Sequence, residues 1–368
     1  MGITMKKEII KIIFVMLFFL IVVNAVLASE GGPATDDNMD VSKSNTGLNE
    51  GMLKSALTGI DITGGISAGY FYASNPGEDT SDDEFLLSNL LVEISSSNED
   101  LPVGFVAAFG ETSTPTILDT PENNTDFKIE YASLTLKPVT DLSLEIGLLQ
   151  PNAGFENTYT FNNKNVILGA VASQQPYNAY GARIGYDVQD LSLWGGYYTE
   201  RLDDEEYNSP DYAWEIGLSG SIWGNGFTLY HYNIKGQRNM SGAVIERTIR
   251  NIDLAFNIDY WSWDNRMKKL YGSTSSIGGA LYICPNFGNL SIPLRLEYIN
   301  QNNSQINIEN PNTKHIYAAT VSPTWHFNEN AYIRAESAYV KADGAFADEE
   351  GRIRDNRINL ALELGFLF

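Results

Sequence analysis

The chain has 368 residues and a formal net charge of −22 at pH 7, with 46 acidic against 24 basic side chains. That acid excess excludes nucleic acid as a partner, because such binding is driven by cations meeting phosphates. The single cysteine, Cys284, excludes an intrachain disulfide and reads as a small apolar filler.

The chain opens with Lys6, Lys7 and Lys11, an apolar run from Ile12 to Val23, and then Val26-Leu27-Ala28. A positive head, a short apolar core and a small-residue site are the layout of a secretory signal peptide, here 1–28 with the cut after Ala28. The run is short of the roughly 20 residues a spanning helix needs. Residues 29–56 are polar and without period, which predicts a flexible periplasmic tail. No later segment is apolar for long enough to be a transmembrane helix.

From residue 57 onward the chain repeats one unit, about ten residues of alternating character followed by a turn or loop, as barrel strands do. Strand faces are read at Ile60 to Tyr72, at Val103 to Gly110, and at Leu142, Leu144, Ile146 and Leu148. They recur at 251–260, where Ile252, Leu254, Phe256 and Ile258 alternate with Asn251, Asp253, Asn257 and Asp259, and again at 291–299. The last strand alternates Ile358, Leu360, Leu362, Leu364, Phe366 and Phe368 with Asn359, Ala361, Glu363, Gly365 and Leu367. It resembles the final strand of Gram-negative outer-membrane barrels, which their assembly machinery recognises by a terminal Phe.

Connections alternate in length. Short ones are predicted at 96–101, 138–141, 187–190, 220–225, 259–265, 285–289 and 327–330. Longer ones are predicted at 74–83, 111–125, 150–177, 200–211, 235–249, 300–314 and 342–355. Short turns on the periplasmic side and long loops outside are how outer-membrane barrels are built. The fold class expected for 57–368 is therefore all-β, a closed antiparallel transmembrane barrel of about 16 strands. The count takes Met267 to Tyr271 as a short strand, and 14 is the fallback. Trp223, Trp261, Trp263 and Trp325 fall beside predicted periplasmic turns, as an interfacial girdle would. The acidic runs Glu78 to Glu84, Asp203 to Glu206 and Asp348 to Glu350 read as solvated loops; none has the spacing of a calcium loop.

No hydrolase motif, metal-ligand cluster or nucleotide loop stands out, so no enzyme, metal or cofactor is expected. His231, His315 and His326 read as lumen or interface residues. The most informative connection is 150–177, the longest and unusually apolar for one facing water. Folding back into the lumen would bury it and narrow the pore, with Phe155, Glu156, Asn163 and Lys164 at the constriction. Packing on top of the barrel or against a neighbouring subunit is the alternative.

Around this loop, Gly147, Pro151, Gly154-Phe155-Glu156, Asn162-Asn163 and Tyr177-Asn178-Ala179-Tyr180-Gly181-Ala182-Arg183 follow one another. With Leu294-Arg295-Leu296-Glu297-Tyr298 and Ile333-Arg334-Ala335-Glu336, the stretch resembles the putative β-barrel porin-2 group. That resemblance implies a general porin-type channel in the bacterial outer membrane. Glu145, Arg183, Asp253, Arg295, Glu297, Arg334, Glu336 and Glu363 fall on the faces read as inward, since an Arg on the lipid face at mid-depth costs about 2–4 kcal/mol. Opposed acidic and basic rows would give a polar lining for hydrated solutes. The expected function is passive diffusion of small hydrophilic solutes or ions, with weak cation preference. A substrate-specific channel is a near variant, and a non-conducting adhesin or anchor is the rival. Expected partners are outer-membrane lipids, the barrel assembly machinery through Phe368 and the solutes themselves, with further copies in a trimer left open.

Overall fold

The computed structural model describes residues 53–54, 59–77, 81–96, 102–113, 115–120, 127–201, 212–235, 237–263, 275–301 and 313–368. The leader, most of the tail and the strand expected at 267–271 lie outside them. Sixteen antiparallel strands form one sheet that closes on itself. In chain order they are β1 (Ile60–Ala73), β2 (Asp83–Ser96), β3 (Val103–Thr112), β4 (Lys128–Val139), β5 (Leu142–Leu149) and β6 (Ala179–Val188). Next come β7 (Leu191–Arg201), β8 (Ala213–Ile222), β9 (Asn225–Ile234), β10 (Arg238–Ile249), β11 (Ile252–Trp263) and β12 (Ser275–Phe287). Two strands are interrupted: β13 (Leu290–Ser291, Leu294–Gln301) and β14 (His315–Val321, Thr324–His326). The last are β15 (Ala331–Ala347) and β16 (Ile353–Leu367).

Each strand pairs with the next, and β16 pairs with β1, for example Leu362 with Tyr70. Closure leaves no unpaired edge in the lipid, which an open sheet could not avoid. Both interruptions sit at prolines, Pro293 and Pro323, which have no N–H to give the ladder. Their carbonyls still accept, from Ser322 N at 2.9 Å and from Ala335 N at 3.0 Å, so the wall stays continuous. Leu53–Lys54 adds a two-residue ladder on β1, opposite Ile62 and Asp61.

The terminal strand shows how the alternation is used. Ile358, Leu360, Leu362, Leu364 and Phe366 are 43–58% exposed on the outer surface, while Arg357, Asn359, Ala361 and Glu363 are at most 6% exposed. Large apolar side chains left uncovered in this pattern need lipid as their solvent.

The count of sixteen stands, but one strand is not where the sequence placed it. The expected loop 235–249 is mostly β10, paired with β9 from Gly226↔Glu246 to Ile234↔Arg238. Its period is blurred because Met240 and Val244 point into an apolar part of the interior and are buried. The expected turn at 259–265 is likewise strand as far as it is described: β11 runs on to Trp263 and pairs directly with β12, Trp261 opposite Ser276. The Trp girdle changes accordingly. Trp223 and Trp325 are exposed at the short-turn end, whereas Trp261 is buried inward near the long-loop end, where Trp263 also lies. Trp223 (φ 53) and Gly224 (φ 73) make the tight turn between β8 and β9, where both central residues of a two-residue hairpin take positive φ.

Candidate functional site

The connection from β5 to β6 does not stay outside. It folds into the barrel, and its apolar residues find their burial there. Val166, Ala170 and Val171 are completely buried, in one cluster with Ile299 of β13, Ile316 of β14 and Val340 of β15. A second inner segment supports it, missed in the sequence because only Ile117 and Leu118 mark it as apolar. Ile117 N donates to Leu168 O (2.9 Å) and Leu168 N to Pro115 O (3.0 Å). Arg357 and Asn359 of β16 in turn hold the carbonyls of Leu118 and Ile117, at 2.6 and 3.2 Å.

The neck of the loop closes on itself. Gly154 has φ +83, and a Cβ there would strike the side-chain amide of Gln175. Gln175 Nε2 donates to Asp259 Oδ2 (2.8 Å) and Asn257 Oδ1 (3.0 Å), fastening the neck to β11. Further in, Asn157 and Asn163 clamp each other: Asn157 N donates to Asn163 Oδ1 (2.7 Å), and Asn163 Nδ2 to Asn157 O (2.6 Å). Phe155 packs on Tyr282 of β12, with ring centroids 4.5 Å apart. Glu156 accepts from Gly169 N at 2.7 Å and pairs with Arg295 Nη1. Lys164 reaches Asp253 at 3.0 Å, with 46% of its side chain exposed.

The eight charges expected to face inward all do, in two groups. Five lie beneath the loop and are almost wholly buried: Arg295, Glu297, Arg334, Glu336 and Glu363. The carboxylates take loop donors. Glu336 accepts from Val166 N (2.6 Å) and Ile167 N (3.1 Å), Glu297 from Val171 N (3.0 Å), and Glu363 from Thr160 Oγ1 (2.7 Å). The arginines take loop acceptors: Arg295 Nη1 donates to Ile167 O (2.9 Å) and Arg334 Nη1 to Thr160 O (3.2 Å). Arg295 and Glu297 also pair with each other at 3.0 Å, so the two signs interleave on one strand instead of facing each other across the lumen. Backbone groups of a loop taken out of water need such partners, since each one left unpaired costs about 1–3 kcal/mol.

Of the other three charges, Glu145 and Asp253 stay partly open, while Arg183 is only 9% exposed. Glu145 and Arg183 border a cavity of 440 Å³ between the loop and the wall made by β5 to β9. Its lining runs from Asn152 and Asn178 at the long-loop end to Asp187 and Ser192 at the short-turn end. Asn178 to Asp187 is roughly 30 Å of strand at about 3.3 Å per residue. Allowing for strand tilt, that covers most of an apolar band about 25 Å tall. Over such a height 440 Å³ is a narrow space beside the loop. At mid-height Arg183 is held on all sides: Nε to Glu215 (2.7 Å), Nη1 to Glu145 (3.1 Å), and Nη2 to Tyr198 OH (3.2 Å) and Gln150 O. Glu215 was not singled out in the sequence; its one signal is a charge between Ala213 and Gly217 on an inward face.

A closed sixteen-stranded barrel with lipid-facing apolar side chains and a loop folded inside is the architecture of outer-membrane porins. The chain belongs to one such family: the sequence model described as putative beta-barrel porin-2, OmpL-like, matches residues 59–368. It is thus an outer-membrane porin channel. Solved structures share its fold at low identity. An anion-selective porin from Comamonas acidovorans has a TM-score of 0.60 at 9% identity, covering 84% of this chain and 99% of that one. OmpT of Vibrio cholerae in its trimer form has 0.57 at 9%, covering 84% and 99%. The channel DcaP of Acinetobacter baumannii has 0.57 at 11%, covering 85% and 99%. No curated protein matches the sequence.

Proposed function

We propose that the protein passes small hydrophilic solutes and ions by passive diffusion, through the passage between the inner loop and the β5–β9 wall, with a weak preference for cations. One observation carries this reading: the lining of the cavity there runs over most of the barrel height and brings Glu145 and Asp187 against the cation Arg183, Glu156 on the same border being already paired with Arg295. Opposite signs at the waist and acid at the ends attract a hydrated cation more than an anion. Asp348-Glu349-Glu350, in the loop between β15 and β16, adds three acids at the long-loop end, partly offset by Arg352 and Arg354, which pair with Asp348 and Glu350. The eight inward charges then divide the work: five seat the loop, while Glu145 and Arg183 border the passage and Asp253 holds Lys164.

Export by cleavage after Ala28, insertion by the assembly machinery and assembly into trimers belong to the same reading. The family and the trimer form of the OmpT structure support it. Planar-bilayer recordings of the refolded chain test the central claim. Discrete conductance steps with a reversal potential on the cation side are expected. Silence at every voltage would leave the barrel as an anchor or adhesin.

A further inference from the structure

The waist of the passage holds three charges whose sum is negative, and the deciding member does not touch the passage. Glu145 is open to it, with 30% of its side chain exposed, and Arg183 reaches it with 10%. Glu215 on β8 lies behind them with none of its side chain exposed. Its Oε1 accepts from Arg183 Nε at 2.7 Å and from Tyr198 OH at 2.5 Å. Its Oε2 is buried, and the Tyr232 hydroxyl lies beside the same carboxylate. Gly196 makes the space: a Cβ there would lie 2.9 Å from Glu215 Oε1 and 2.8 Å from Tyr198 OH.

A barrel that needed only to neutralise Arg183 already has Glu145, at 3.1 Å. A second carboxylate overshoots. The three groups together leave one negative charge at mid-height, where the walls are of low dielectric and water does little to screen it. We infer that Glu215 is the residue that sets the ion preference of the channel: it cancels Arg183 from behind and so leaves Glu145 free to act on the passing ion. This rests on the pore reading above.

The geometry supplies a clean test. Glu215→Gln keeps an oxygen at the Oε1 position for Arg183 and Tyr198 and puts an amide of the same size at the Oε2 position beside Tyr232, so charge is removed and shape is kept. The full chain, refolded and inserted in a planar bilayer, is measured in a tenfold KCl gradient. The K⁺/Cl⁻ permeability ratio is expected to fall several-fold in Glu215→Gln, and to fall also in Glu145→Gln, which brings the waist to the same net charge. A conducting Glu215→Gln channel with the wild-type ratio would overturn the inference, since a purely structural role predicts no change. Should Glu215→Gln not insert, the partly exposed Glu145→Gln decides: a wild-type ratio there overturns the idea that the summed charge at the waist sets the preference. A wild-type chain that never conducts is a different result, and removes the pore reading itself.

Discussion

The two sides of this barrel use the same kinds of inward charge for different ends. On the β13–β16 side, arginines and carboxylates are buried and matched to backbone groups of the inner loop. On the β5–β9 side, the loop stands off and leaves the 440 Å³ cavity, with Glu145 partly open to it and Arg183 at its border. An inward charge in a barrel therefore need not be a pore charge. What separates the two roles is whether another segment of the chain takes the hydrogen bonds that water would otherwise make.

Substitutions on the two sides should differ in kind. The largest effect is expected for Arg295→Met. It strands Glu156 and Glu297 in a dry site, and breaking a buried pair in this way costs about 3–5 kcal/mol. The unfolding midpoint, read as the shift between folded and unfolded bands on a gel, should drop clearly; an unchanged midpoint would mean that Arg295 is not an anchor. Glu336→Ala should come next. It leaves Val166 N, Ile167 N and Ser322 Oγ without their acceptor, at about 1–3 kcal/mol for each group that water does not reach. The loosened loop should also widen the passage, so larger and noisier conductance steps are expected.

Glu145→Gln tests the opposite wall. The pair with Arg183 is partly solvated, and stability should change by no more than about 1 kcal/mol, while ion preference moves. A large stability loss with unchanged selectivity would erase the distinction between the walls. The smallest effect is expected outside the membrane, at Asp348. Burial alone would raise its pKa, but the N–H of Arg352 and the guanidinium groups of Arg354 and Arg352 hold the carboxyl well below the usual range. A depressed carboxylate contributes stability above its ordinary pKa and loses it as pH falls below that. The β15–β16 loop should then stay closed at neutral pH and loosen only in strong acid. Asp348→Asn should speed trypsin cleavage at Arg352 or Arg354 at neutral pH, without altering conductance.

Much of the site was legible in the residues. The apolar run Val166-Ile167-Leu168 in a long connection demanded burial, and it lies inside the barrel. Arg295/Glu297 and Arg334/Glu336, each two apart, had to share a face, and they do. What could not be read was which of them the loop would cover. Lys164 meeting Asp253 and Arg295 meeting Glu156 join residues 89 and 139 apart in sequence, and no local pattern encodes such partners. The strand at 238–249 escaped for a related reason. Period-two reading assumes a wet interior, and Met240 and Val244 face a part of the interior that is apolar.

The sequence by itself determined the class of fold and the direction in which most side chains point, while its count of sixteen rested on one strand set in the wrong place. Class and direction follow from a two-residue period and from the cost of charge in lipid, both of which act residue by residue. Only the tertiary structure decided where the passage runs and which charges border it, because that depends on a loop crossing the lumen to one wall. The buried carboxylate of Glu215 shows the same division: its place on an inward face is local, but its power over the waist comes from Arg183 and Tyr198 on neighbouring strands.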